Sequence, residues 1–318
     1  MKISYRGIIA SCFTILTISI FTFCHKYQGR ESPDYRVLVI GNSLSDDAFS
    51  YVPYILKSVC PDKSVKIGVL YYSGCTTAKH YEFLLSEDQV YRFHIYTSDI
   101  GVWSTKKNVS SKDAILSDSW DIIVTNTFSR TPNYYQSVHQ SLGKLIEVCY
   151  ELLSSRPPFF WVQTPAHANS YEKMIGDYSS NEYFLEEVKV CQSIDDYESI
   201  SGIIPCGTAI QIARNSHLNQ YGDGGELTYD TLHLQEGLPR LIDGYVVSQF
   251  LLDYFQLGKD IVDSSFIPNT EFFSYGNSLG KKGAVCGITE DNIELAKKIV
   301  HKALEDPFII DVNELMIQ

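Results

Sequence analysis

No stripe of clustered lysine and arginine runs along this sequence: 26 basic residues stand against 38 acidic ones, a formal charge of −12. A nucleic-acid partner needs clustered cations to neutralise phosphates, so that class is excluded, and adsorption to anionic lipid headgroups is disfavoured on the same ground. Cys-x-x-Cys is absent and no Cys/His set carries zinc spacing, which removes the structural zinc sites. Repeats and low-complexity tracts are also missing, so solenoids and arrays are out. The turn Gly41–Asp47 has a single glycine and two acids, a poor cradle for the phosphates of a nucleotide or flavin.

What is present divides into a leader and an alternating body. Lys2 and Arg6 precede an apolar run from Gly7 to Phe23, and Cys24 opens into polar sequence, the layout of an export signal. Residues 1–24 are expected to be a signal peptide or lipoprotein signal, and 25–34 a linker. Cys24 stands where a lipoprotein signal carries its lipid anchor. Plain cleavage and an uncleaved anchor are the alternatives, because Phe23 is large for the residue before a cut.

The body reads strand, helix, strand. Tyr35–Ile40, Ser64–Tyr72, Trp120–Thr125, Phe159–Gln163 and Gly202–Pro205 are continuous apolar runs, as expected of parallel strands covered on both faces. Helices are expected over Asp46–Cys60, interrupted at Pro53, and over Val138–Leu153, Thr208–Arg214, Leu238–Phe255 and Glu290–Leu304. Tyr91–Tyr96 and Ile100–Ser104, around Thr97-Ser98-Asp99, suggest an inserted hairpin. The expected fold is therefore α/β: a three-layer αβα, flavodoxin-like domain over 35–257 with a mostly parallel sheet. An extension, 258–318, packs on it with a C-terminal helix.

The chemistry lies at strand ends. Ser43, in Gly41-Asn42-Ser43-Leu44, follows the first strand, where such sheets place their site. A second Gly-Asn-Ser-Leu, at 276–279, lacks a strand before it and reads as a polar turn. Of the eight histidines only His233 has an acid three residues before it, Asp230. A hydroxyl needs a base to become a nucleophile, and the base needs an acid to fix its tautomer. Ser43, His233 and Asp230 supply all three. The Ser43 amide, Gly74 after the second strand and Asn126 after the third are the candidate oxyanion donors.

These residues resemble the blocks of the SGNH hydrolases, also called the GDSL esterases, from about Tyr35 to Phe255. Ser43 matches the first block, Gly74 the second, Asn126 the third, and Asp230 with His233 the last. The first block most resembles an exported branch that reads Gly-Asn-Ser. The resemblance implies an esterase without cofactor or metal, acting on a small-molecule or glycan ester, with a short acyl group such as acetyl as the first expectation. Two departures stand out: Asn42 replaces the family's aspartate, and Val124-Thr125-Asn126-Thr127 lacks the third block's glycine and acid. An envelope protein that keeps the fold and binds a glycan without turnover is the alternative.

Lesser candidates have structural readings beside the functional ones. Asp46 and Asp47 could hold a cation or sugar hydroxyl, but acids in a first helical turn ordinarily serve the dipole. His167 could line the pocket. His94 reads as structural or surface. Trp103, Tyr134 and Tyr135 could stack on a sugar, though aromatics are more often core. The oligomeric state is not encoded in any pattern found.

Overall fold

A computed structural model describes residues 32–127, 135–169, 179–195, 197, 199–269 and 285–310. The chain divides into Met1–Pro33 and Asp34–Gln318, and the fold described here belongs to the second unit. The expectations for 1–24 and Cys24, for the second Gly-Asn-Ser-Leu, for Tyr134 and for the Tyr135 side chain lie outside the described residues.

Seven strands form one sheet: β1 (Tyr35–Gly41), β2 (Val65–Tyr71), β3 (Tyr91–Thr97), β4 (Ser104–Val109), β5 (Ile122–Thr125), β6 (Phe159–Val162) and β7 (Ile200–Ile204), in the order β4-β3-β2-β1-β5-β6-β7. Strand β1 pairs in parallel with β2 and β5, and β6 and β7 continue the parallel set. The pair β3–β4 is antiparallel and extends the sheet beyond β2.

Alternation along β1 assigns the two faces. Val37 and Val39 enter one core, with α1 (Ser43–Phe49), α2 (Val52–Val59), α7 (Cys206–Arg214), α8 (Leu238–Tyr254) and α9 (Glu290–Glu305). Leu38 and Ile40 enter the other, with α3 (Thr77–Ser86), α4 (Ser111–Ile115), α5 (Tyr135–Leu152) and α6 (Ser180–Asp195). Both faces of the sheet are thus covered, which is why the central strands read as unbroken apolar runs. This is a three-layer αβα fold with a mostly parallel sheet.

The interruption at Pro53 is real: α1 ends at Phe49 and α2 begins at Val52, with proline in its first turn where no amide donor is missed. The hairpin needs correcting. Its second strand is Ser104–Val109, and Ile100 and Val102, expected in that strand, sit in the turn about half exposed. The true strand escaped notice because it is a polar edge with Lys106 and Lys107 pointing to solvent, a pattern that discourages edge pairing.

All six cysteines among the described residues are free thiols, five of them buried. A hollow bordered by Tyr35, Leu56, Cys60 and Phe255 lies at the start of β1, a whole strand away from Ser43.

Candidate active site

The carboxyl ends of β1, β2 and β5 meet beneath the start of α1. Asn42 caps that helix: its Oδ1 accepts the Leu44 N–H at 3.0 Å, and the Ser45 hydroxyl accepts the Asn42 N–H at 3.4 Å. Ser43 is therefore the first helical residue, on a turn fixed from both sides. Gly41 is glycine because a Cβ there would lie 2.7 Å from the Ser45 Cβ.

Ser43 and His233 are 190 residues apart in sequence and in direct contact in the fold: the Ser43 Oγ lies 2.8 Å from His233 Nε2. His233 Nδ1 lies 2.8 Å from Asp230 Oδ2. The other Asp230 oxygen accepts the backbone N–H groups of Leu232 and His233 at 3.1 and 2.7 Å. Burial alone would raise the Asp230 carboxyl. The hydrogen bond and charge of His233, with the two backbone donors, outweigh it and hold the group below its ordinary value. An ionised Asp230 claims the Nδ1 proton, which leaves the Nε2 lone pair facing the Ser43 hydroxyl. Ser43 and His233 are 5 % and 7 % exposed, so their contact is shielded from bulk water.

The loop that carries His233 is pinned residue by residue. Tyr229 donates its N–H to the His233 carbonyl at 3.0 Å and lays its ring along the imidazole, centroids 5.6 Å apart and planes 18° from parallel. Leu234 donates its N–H to Asp47 Oδ2 at 2.9 Å, and its carbonyl accepts from Arg240 Nε at 2.9 Å. Asp47 and Arg240 meet at 2.7 Å, both buried. Burial raises the Asp47 carboxyl while Arg240 opposes it. Burial would lower the Arg240 guanidinium, yet Asp47 and its neighbours hold it above its ordinary range, and at this distance the two form an ion pair. Thr231, between acid and base, is β-branched at φ +72°, a conformation such residues rarely adopt.

Of the oxyanion candidates, the Ser43 and Gly74 amides make no hydrogen bond among the described residues. Gly74 sits at φ +61° in the exposed turn after β2, a left-handed conformation that glycine adopts without strain. Asn42 Nδ2 donates to the neighbouring Cys75 carbonyl at 3.0 Å and so ties this turn to α1. Asn126 is fully buried beneath α1: its Oδ1 accepts from Ser45 Oγ at 3.1 Å and its Nδ2 lies 3.5 Å from Asn42 Oδ1. It braces the Gly41–Ser45 turn.

The lesser candidates are placed away from open solvent. Asp47 is committed to Arg240 and Leu234. Asp46 is buried, and burial followed by the Asp47 charge raises its carboxyl well above the ordinary value. His94 is also buried, its imidazole held down at about 4, and its Nδ1 lies 2.8 Å from Thr105 Oγ1. Burial thus disfavours the charged form of both Asp46 and His94, whose side chains approach to 3.9 Å. His167 is buried against Tyr183, and Trp103 packs on Tyr96 and donates to the Ser50 carbonyl. Burial pushes the Cys75 thiol up to about 12, which keeps it protonated and unreactive. Sequence reasoning missed Tyr229, Ser45 and Arg240. Among the described residues no group of three or more His, Cys, Asp or Glu is arranged to hold a metal ion.

Fold and site together define a three-layer α/β protein with a serine–imidazole–carboxylate constellation at its strand ends. The chain belongs to the family described as Domain of unknown function (DUF4886), which matches residues 36–282. The crystal structure of a DUF4886 family protein from Bacteroides uniformis ATCC 8492 is similar at a TM-score of 0.73 and 20 % identity, over 88 % of this chain and 98 % of that one. A catalytic mutant of Axe2, an acetylxylan esterase from Geobacillus stearothermophilus, aligns over 71 % of this chain and 95 % of its own at 11 % identity and a TM-score of 0.39. TesA aligns over 67 % and 93 % at 10 % identity and a TM-score of 0.38. No curated protein matches the chain.

Proposed function

We propose that this chain is a serine esterase of the SGNH type that transfers a short acyl group from an ester to water. The observation that carries the reading is the unbroken relay from Ser43 Oγ through His233 to Asp230, with both contacts at 2.8 Å. Ser43 Oγ attacks the ester carbonyl as His233 Nε2 takes its proton. The tetrahedral oxyanion is met by the Ser43 and Gly74 amides and by Asn126 Nδ2. Removing one such donor typically costs about 100- to 1000-fold in rate. His233 then returns the proton to the departing alcohol, and water releases the acyl group from Ser43 by the same route in reverse.

A short acyl group such as acetyl is supported by the 5 % exposure of Ser43 and by Leu44 and Leu232, which pack together beside nucleophile and base; a carbohydrate as the alcohol half rests on the resemblance to the SGNH hydrolases alone. Export to the cell envelope, with Cys24 as the lipid anchor, is part of the proposal and rests on the residues of the leader.

The test is hydrolysis of p-nitrophenyl acetate and of acetylated xylo-oligosaccharides by the protein from residue 25 onward, with Ser43→Ala as control. Turnover lost in the variant, with unchanged thermal stability, supports the reading. Equal rates for both proteins, and no labelling of Ser43 by a fluorophosphonate, would overturn it.

A further inference from the structure

We propose that Asp47 and Arg240 are positioning residues that lock the loop of His233 onto the helix of Ser43. The inference rests on the hydrolase reading only for its rate predictions; the mechanical coupling stands on geometry alone.

Leu234 follows the base directly, and both of its backbone groups are held. Its N–H goes to Asp47 Oδ2 at 2.9 Å and its carbonyl to Arg240 Nε at 2.9 Å. The clamp closes on itself, because Arg240 Nη2 lies 2.7 Å from Asp47 Oδ1. Each jaw sits on a different helix. Asp47 is one turn beyond Ser43 on α1, and Arg240 lies in the first turn of α8, which packs against α1 in one core. A guanidinium suits this role because its planar fork reaches a carboxylate and a carbonyl at once, which an ammonium cannot do with fixed geometry. With Asp47 at 3 % exposure and Arg240 at 6 %, little water is available to replace either partner.

The consequence concerns the 2.8 Å contact between Ser43 and His233. The acid Asp230 lies on the same loop as His233, so it orients the ring without fixing the loop's distance from α1. Asp47 supplies that fixed distance, since it is rigidly joined to Ser43 by a single helical turn. Loss of the clamp leaves nucleophile and base intact and lets their separation vary.

The test uses Asp47→Asn, Arg240→Lys and the double variant Asp47→Asn/Arg240→Lys in the otherwise intact protein. Each single change keeps size and one hydrogen bond, so folding is retained more readily than with alanine. Misplacement on the ångström scale costs up to about 100-fold in rate, so we expect kcat to fall about 10- to 100-fold for each single variant, with KM within about twofold. The double variant should lose little more than either single one, because the residues act as one unit. The second readout is the low-field Nδ1 proton of His233 in the NMR spectrum, which requires no turnover. It should broaden or shift in both single variants, and remain in a distant buried-site control such as Thr208→Val.

Folded variants with wild-type kcat and an unchanged His233 proton would overturn the clamp. Additive losses in the double variant would overturn it as well. Should the wild type itself prove inactive, the hydrolase reading fails, and the His233 resonance still decides the clamp.

Discussion

Gly41→Ala is the sharpest test of the strand-end geometry, because the cost can be worked from distances. An alanine Cβ would overlap Ser45 Oγ and lie 2.7 Å from Ser45 Cβ and 3.3 Å from Asn126 Oδ1. A rotamer change in Ser45 relieves the first contact but not the second, since a Cβ moves only with its backbone. The 2.7 Å contact must open to an ordinary 3.4 Å, so α1 must shift by about 0.7 Å relative to β1. That shift loosens the Ser45–Asn126 hydrogen bond, leaving a buried amide oxygen without its donor. Overpacking costs about 1–3 kcal/mol and an unmet buried acceptor a similar amount, so a total of about 2–6 kcal/mol is expected. For a domain of this size the melting temperature should drop by about 4–24 °C. Ser43 lies two residues before Ser45 on α1 and moves with it, so kcat should fall about 10- to 100-fold. Urea unfolding followed by circular dichroism gives the stability, and p-nitrophenyl acetate turnover per fluorophosphonate-reactive serine gives the rate. Stability within about 0.5 kcal/mol of wild type together with kcat within twofold would refute the reasoning.

Two further outcomes follow from the loop of the base. Asp230→Asn keeps an acceptor for the Leu232 and His233 N–H groups but turns an NH2 toward His233 Nδ1. The imidazole then takes the wrong tautomer, and kcat should fall about 1000- to 10 000-fold, as tautomer loss does in other triads. A carboxyl held below its ordinary 3.8 contributes stability that is present above that pH and is lost as the pH falls through its lower folded value. The urea-midpoint advantage of wild type over Asp230→Asn should therefore be full above the ordinary carboxylate value of 3.8 and shrink as the pH falls below it; a difference independent of pH across the acid range would contradict an ionised Asp230. Thr231→Asn places a residue tolerant of positive φ where a β-branched one is strained at +72°. It should raise stability by about 0.5–1 kcal/mol without touching the triad, as read from thermal unfolding; destabilisation would show that the threonine side chain contributes more than its backbone costs.

The legible part of this protein is the part encoded as local pattern. The strands that place the site, β1, β2, β5 and β6, are buried on both faces, and a run such as Val37-Leu38-Val39-Ile40 can hardly be anything else. Asp230 and His233 were equally visible, because three residues of separation within one loop suffice for their contact. Helix α3 went unread since its buried side chains are few and mixed, Thr77, His80, Phe83 and Leu84, and offer no clear apolar stripe. Strand β4 went unread because its side chains face solvent.

Long-range polar pairing is a different matter. Asp47 stands 193 positions before Arg240, and an acid early in a helix is already explained by the dipole. Nothing in period or composition marks it as half of a buried ion pair. Asn42 makes the same point from the other direction, because sequence reading saw it only as an aspartate lost. In the fold its Oδ1 still accepts the Leu44 N–H, as a carboxylate would, while its Nδ2 donates to the Cys75 carbonyl. An ionised carboxylate has no proton to donate and would repel that carbonyl. Asn42 therefore leaves no charge beside Ser43 and ties the turn of Ser43 to the turn that carries Gly74. A departure from a motif is uninformative until the partner of each changed atom is known, and here both partners lie at the ends of neighbouring strands.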